Sequence, residues 1–250
     1  PLYSSAASDV YKRQGIDRVK YETEGTRGNE MDNLNSIFNV VKVEKNNIKK
    51  TFKLFDFDKN NFNMPTSHDI KLTNSDYKRV LDYIKNNLSS FKENINPEKL
   101  AVVLEACCTY FPSSSYVDTP DVSYYDHVKL TAAVAACFYL YDKEKEIKDY
   151  KKEYFSKADR NTKKFLLVSG EFSGIQNFIY TISSKMAMKS LRGRSFYLEL
   201  FAEHIIDEIL SELELSRVNL LYSGGSHFYL LLPNTEKSKE VLEQYKEKIN

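Results

Sequence analysis

The residues best suited to chemistry fall in a few short stretches. Residues 222–233 read YSGGSHFYLLLP, two apolar runs joined by Gly224 and Gly225, with Ser223 before the glycines and Ser226 and His227 after them. Glu171 ends the run FLLVSGE, Ser173 follows it, and Arg192 and Arg194 share the stretch SLRGRS. Backbone amides at a glycine-rich turn or a helix start can hold phosphate oxygens. That makes the Gly224–Gly225 turn and the helix start at Ser173 candidates to hold phosphate, with Arg192 and Arg194 as phosphate or nucleic-acid contacts. Two-metal chemistry makes a different demand, because at least two ligands must converge to clamp the attacking and leaving oxygens. Glu171 is a single carboxylate and the glycine tip supplies none. Metal-dependent catalysis by this half alone is therefore not expected, and the hairpin is open to three readings: a working turn, a degenerate relative of one, or an ordinary turn.

His127, in SYYDHVKL, is the candidate metal ligand of the other half. In HD phosphohydrolases a His on one helix, a His-Asp dyad on another and a distant Asp hold metal, so that a bridging water attacks a phosphodiester. A lone helical His is more often a hydrogen-bonded core residue. The chain also spells a His-Asp pair, His68 and Asp69, in PTSHDIKLTN, a polar stretch read as loop.

Elements must position these groups. The stretch DYKRVLDYIKNNLSSF places Val80, Leu81, Ile84 and Leu88 at helical spacing, and a second helix from Pro97 carries Leu100, Val103, Leu104 and Cys107. Ser123 and Asp126 have the spacing of a helix start, and the alanines that follow leave room for close approach by neighbouring helices. The charged stretch DKEKEIKDYKKEYFSKADRNTKK is read as a solvated linker holding the domain boundary. Beyond it, KFLLVSG reads as a buried strand, and Ser173 with Gln176 as a capping box opening a helix. SSKMAMKSLRGR reads as a basic connection to a second helix, on which Leu198, Phe201, Ala202, Ile205 and Ile209 share a face. VNLLYS and SHFYLLLP read as a glycine-turn hairpin, and EKSKEVLEQYKEKIN as a last helix. The order strand, helix, helix, strand, strand, helix matches most of a ferredoxin-like split βαβ palm, with its fourth strand expected beyond residue 250.

The 250 residues allow one large domain or two modest ones, and 42% apolar content suits a folded chain. Lys+Arg 36 against Asp+Glu 35 gives a net charge of +1, which neither demands nor excludes a nucleic-acid partner. Three cysteines form neither a disulfide framework nor a zinc spacing, so a reducing cytoplasm is the simplest setting. The longest apolar run, Leu130 to Tyr141, is about half of the ~20 residues a bilayer crossing needs, so no membrane partner is expected. The first fourteen residues, PLYSSAASDVYKRQ, resemble a translated sequencing-adapter scar and are set aside as an artefactual leader. The chain is expected to be a fragment at both ends.

LLVSGEFSGIQNFIY, KSLRGRSFYLELFAEHIIDEIL and LSRVNLLYSGGSHFYLLLPN together resemble the first palm domain of the large signature subunit of type III-A CRISPR effector complexes. SYYDHVKLTAAVAACFYLY is similar to the helix preceding that palm, at the end of the family's HD domain. The resemblance implies an α+β chain: a partial all-helical HD-type domain over 15–145, a charged linker over 146–163 and a non-catalytic, ferredoxin-like palm over 164–250. It implies for the parent a metal-dependent nuclease (Mn, Mg or similar) cutting single-stranded DNA and an ATP-dependent cyclic oligoadenylate synthase. Its partners would be the other effector subunits, guide RNA and target RNA, in the cytoplasm. His127 would be the HD-domain ligand, with the family's dyad near the native N-terminus. The synthase's Gly-Gly-Asp-Asp turn belongs to the second palm, and no such motif occurs in this chain. Ser223, Gly224 and Gly225 match the first palm's hairpin and Glu171 stands where the family often has Asp, so the resemblance carries these four over as nucleotide-binding candidates. Two rivals remain: a non-catalytic scaffold for neighbouring subunits and guide RNA, and a stand-alone cyclase of the diguanylate type, which the missing acidic turn disfavours.

Overall fold

The computed structural model describes residues 33–40, 49–54, 63–67, 72–89, 96–113, 120–149, 161–180, 187–225 and 227–249. The leader, the pair His68 and Asp69, Ser226 and part of the charged run lie outside them. The contacts form two compact units, one ending at Thr131 and the other beginning at Ala132.

In the first unit, helix α1 spans Asn74–Ser89 and α2 spans Pro97–Cys108. The start of α2 follows from its sequence: Pro97 cannot donate an amide, and Asn96 Oδ1 accepts from the amides of Glu98 at 2.8 Å and Lys99 at 3.4 Å. The core gathers Val80, Cys107, Cys108, Phe111, Tyr125 and Leu54, with Tyr77 and Ile84 packed on it. Leu81, expected on the buried stripe of α1, is instead 49% exposed. The buried face runs through Tyr77, Val80 and Ile84 at three- and four-residue steps, and Leu81 falls beside it. The SIFNVV stretch includes a 3-10 turn at Ile37–Val40, and isolated bridges join Asn35 to Thr51 and Thr51 to Thr66.

Helix α3, Tyr124–Glu144, begins in this unit, where the Asp126 amide donates to Ser123 Oγ at 3.4 Å. Its residues from Ala132 onward belong to the second unit. The expected boundary over 146–163 would assign the whole helix to the first domain, but its second half packs elsewhere. Phe138 meets Phe165 edge to face at 4.8 Å, and the Ala133 carbonyl accepts from Asn219 Nδ2 at 3.3 Å. Cys137 is buried against the Leu231 carbonyl at 3.4 Å, and burial pushes its thiol pKa up to about 12 despite a hydrogen bond from Asn219. At the end of α3 the Glu144 carboxylate accepts the Glu236 amide at 3.1 Å, capping helix α6, Glu236–Ile249. Of the alanines expected to admit neighbouring helices, Ala133 meets a 3-10 turn, Arg217–Asn219, through the Asn219 amide.

The second unit is a three-stranded antiparallel sheet with helices between its strands. Strand β1 is Phe165–Glu171, β2 is Leu220–Gly224 and β3 is His227–Pro233, in the order β1-β3-β2. Because β3 is antiparallel to both neighbours, β1 and β2 run parallel, which is the split βαβ arrangement. The crossover consists of α4, Ile175–Tyr180, and α5, Ala187–Glu212. Alternation along β3 sends Phe228, Leu230 and Leu232 into the core, where Ile205, Ile206, Ile209, Leu210 and Leu213 of α5 meet them. SLRGRS is not a loop: Arg192 and Arg194 stand on α5. Ala, Met, Lys, Leu and Arg are strong helix formers, and together they outweigh the cost of about 1 kcal/mol at Gly193. VNLLYS likewise enters its strand only at Leu220, because Asn219 sits in the 3-10 turn with its side chain buried.

Candidate functional site

Strand alternation divides the sheet into a core face and an open face, and the candidate residues separate accordingly. Across the strand ends, Glu171 pairs with His227 and His227 with Gly224. Glu171 and His227 lie on the open face, with the His227 Nε2 3.9 Å from Glu171 Oε1. Their side chains are 67% and 49% exposed, respectively, so the pair is loose and solvated. The next row on the same face holds Ser169, Tyr229 and Tyr222, with the two tyrosine rings 6.2 Å apart. Leu167 continues this face and is 69% exposed.

Gly225 has φ 58°, the left-handed conformation that glycine adopts most easily, and a Cβ placed there would meet nothing within 4 Å. The tip is thus held by its backbone while its outer side stays open. Gly170 is glycine for a different reason: a Cβ there would lie 2.1 Å from Phe228 Cζ, so the Phe228 ring occupies the space a side chain would need. Sequence reading passed over this position, whose signal was a glycine inside an apolar strand.

Ser223 faces the other way. It pairs with Phe228 on the core side, and its hydroxyl donates to Glu203 Oε1 on α5 at 2.6 Å. The second oxygen of Glu203 accepts from Arg217 Nη2 at 2.5 Å, and Arg217 Nε donates to Asp207 at 2.7 Å. These hydrogen bonds, that to Asp207 first, raise the Arg217 pKa against the opposing effect of burial. Glu203, Asp207 and Arg217 carried no sequence signal beyond the i,i+4 spacing of the two acids.

Ser173 is exposed, two residues before α4 and next to Gly174 at φ 74°. Arg194 donates to the Phe178 carbonyl near the end of α4, with its guanidinium over the Phe178 ring at 5.3 Å. Arg192 is exposed one turn-half away on the same helix. The structure therefore brings Glu171, Gly224 and His227 into one row beside Gly225, turns Ser223 to the opposite face, and leaves the arginines on the crossover helix.

His127 is half-buried on α3, its amide donating to the Ser123 carbonyl at 3.1 Å and its carbonyl accepting from Thr131 Oγ1 at 2.8 Å. Among the described residues, no three His, Cys, Asp or Glu side chains converge as a metal site. One imidazole does not fit a divalent ion unaided, so no metal step is derived from these residues. No helix of the described residues is long and apolar enough to cross a membrane.

Residues 164–250 match the family model described as Csm1 subunit domain B. A relative from Enterococcus italicus, a CRISPR system single-strand-specific deoxyribonuclease Cas10/Csm1 of subtype III-A, is 43% identical over 90% of this chain and 31% of its own length. Solved structures of a Csm1–Csm4 cassette, one in complex with cA4 and one with AMPPNP, are each 28% identical over 97% of this chain and 29% of theirs. Their TM-scores are 0.70 and 0.69, respectively. The chain thus spans under a third of the length of these proteins, and within that span it belongs to the Cas10/Csm1 family of subtype III-A CRISPR systems.

Proposed function

We propose that this chain is part of the large subunit of a type III-A CRISPR effector complex in antiviral defence. Residues 164–250 form its first, ferredoxin-like palm, and the helical unit forms part of an HD-type nuclease domain. The palm supplies one wall of an ATP site for cyclic oligoadenylate synthesis, and the second palm brings the metal-binding carboxylates. The observation that carries this reading is the row Glu171, His227 and Gly224 at the end of an open sheet face, beside a left-handed Gly225 with free space around it. Backbone at such a tip can approach a phosphate closely, whereas one carboxylate beside one imidazole cannot assemble a two-metal centre. The AMPPNP and cA4 complexes of the similar cassette support the choice of ligand.

The test uses the full-length subunit in its effector complex with guide RNA and target RNA. Asn tolerates the left-handed conformation, so Gly225→Asn leaves the backbone in place and fills the approach path. The KM for ATP is expected to rise about tenfold, a loss of about 1.4 kcal/mol; an unchanged KM would make the turn purely structural. For the nuclease, His127→Ala is expected to abolish manganese-dependent cutting of single-stranded DNA, and retained cutting would remove His127 from the site. Cytoplasmic placement accords with these partners.

A scaffold role for neighbouring subunits and guide RNA draws on one further observation. Phe196, Tyr197 and Leu200 of α5 are exposed together. Under that reading Phe196→Ser releases a subunit from the complex while the KM for ATP is unaltered.

A further inference from the structure

Glu203 uses its two carboxylate oxygens separately. Oε1 accepts the Ser223 hydroxyl at 2.6 Å, at the end of β2, and Oε2 accepts from Arg217 at 2.5 Å, just before β2 begins. Arg217 reaches Asp207 at 2.7 Å as well, so its guanidinium bridges two acids one helical turn apart on α5. The short strand is tied at both ends to one helix. Between the ties, the pairing of β2 with β3 shifts register between Leu220 and Tyr222. A strand with such an irregularity needs something to fix its alignment, because a slip of one residue turns every side chain to the opposite face. In the observed register Ser223 lies opposite Phe228 and Gly224 opposite His227. A slip would send Ser223 to the open face and remove Gly224 from the row with Glu171 and His227.

We propose that Glu203, Arg217 and Ser223 form a register latch: positioning residues that hold the glycine tip against His227 and Glu171 and so shape the nucleotide-facing wall. Ser223 then acts through its bond to Glu203 and touches no ligand. The latch stands on the hydrogen bonds alone, and only its consequence for ATP rests on the function proposed above.

Two measurements on the full-length subunit in its effector complex separate these layers. In the first, amide hydrogen exchange across 220–228 is compared among wild type, Ser223→Ala, Ser223→Thr and Glu203→Gln. Exchange is expected to quicken about tenfold in Ser223→Ala and Glu203→Gln and to return to the wild-type rate in Ser223→Thr, which keeps the hydroxyl. Unchanged exchange in Ser223→Ala, or no rescue by Thr, overturns the latch, and Glu203→Gln decides the matter if Ser223→Ala fails to fold. In the second, the KM for ATP is expected to rise several-fold in Ser223→Ala, with kcat held within about twofold. Quickened exchange with an unaltered KM overturns the positioning role. A wild-type complex that neither binds AMPPNP nor consumes ATP refutes the nucleotide wall, while the exchange measurement still decides the latch.

Discussion

The sheet unit and the helical unit build their cores from different kinds of information. In the sheet unit two periods meet: every second residue of β3 and every third or fourth residue of α5 point at the same interior, and Phe228, Leu230, Ile206 and Leu210 are buried together. In the helical unit, α1, α2 and the start of α3 contribute Val80, Cys107, Cys108 and Tyr125, and isolated bridges tie the connecting segments. Polar groups follow the same contrast. The sheet unit fastens Ser223, Glu203, Arg217 and Asp207 into one network, whereas in the helical unit the Tyr125 hydroxyl donates to Glu105 at 3.3 Å. Burial, and after it the Glu105 charge, pushes that hydroxyl to a pKa of about 12. A sheet specifies its neighbours across the chain and can therefore hold a small open surface in place. A helical cluster specifies only which faces are buried.

The contrast can be broken most directly through the two cores. Leu230→Ala should cost about 2–5 kcal/mol and Val80→Ala roughly 1–3 kcal/mol, both being fully buried. Buried thiols report each unit separately: Cys137 for the sheet, Cys107 and Cys108 for the helices. Denaturant-dependent thiol labelling should show Leu230→Ala advancing the exposure of Cys137 and Val80→Ala that of Cys107 and Cys108. Equal shifts of all three thiols in both variants would mean that the chain unfolds as one body.

Next in size, Gly170→Ala forces a methyl group into the Phe228 ring and should destabilise the sheet unit by about 1–3 kcal/mol, read from the same Cys137 labelling. Gly193→Ala on α5, where a Cβ meets nothing within 4 Å, should leave that transition in place or raise it. On the helical side, Asn96→Ala removes the cap of α2 and should cost about 1 kcal/mol, seen in the labelling of Cys107.

The smallest effect concerns pH. Burial alone would raise the Glu144 carboxyl, but the amides of Glu236 and Lys237 and the Lys145 ammonium hold it below the ordinary 4.5. A carboxyl lowered on folding contributes stability above its unfolded pKa and loses it as pH falls through the folded value. The gain from Glu144 at the start of α6 should therefore be complete near neutrality and fade below about pH 4.5, amounting to about 0.3–1 kcal/mol. Glu144→Gln should flatten this part of the acid limb in the Cys137 transition, and an unchanged limb would assign the acid sensitivity elsewhere.

Most of the sheet unit was legible because its signals were local and periodic. The apolar run before Glu171, the double glycine and the alternation in β3 led to the observed element order. The start of α2 was legible from Pro97, and that of α3 from Ser123. Less legible were features set by distant partners. Nothing local distinguishes Asn219 from any polar residue entering a strand, yet its amide reaches Leu231, Ala133 and Cys137. Serines beside glycines commonly point at ligands, and only the face assignment of β2 shows that Ser223 is turned toward Glu203. The small and basic residues of SLRGR suggested a connection, where helix propensity prevailed.

The shared helix α3 matters to anyone trimming this protein. A segment started at Lys164, just after the expected linker over 146–163, would look like a natural cut but would strip away Ala133, Cys137, Phe138 and Tyr141. Phe165 would lose its ring partner, Lys164 the aromatic face beneath its ammonium, and α6 the carboxylate at its first turn. The Asn219 amide would keep the Leu231 carbonyl and lose its other two acceptors. A minimal soluble sheet unit should instead begin before Tyr124, carrying the whole helix as its own lid.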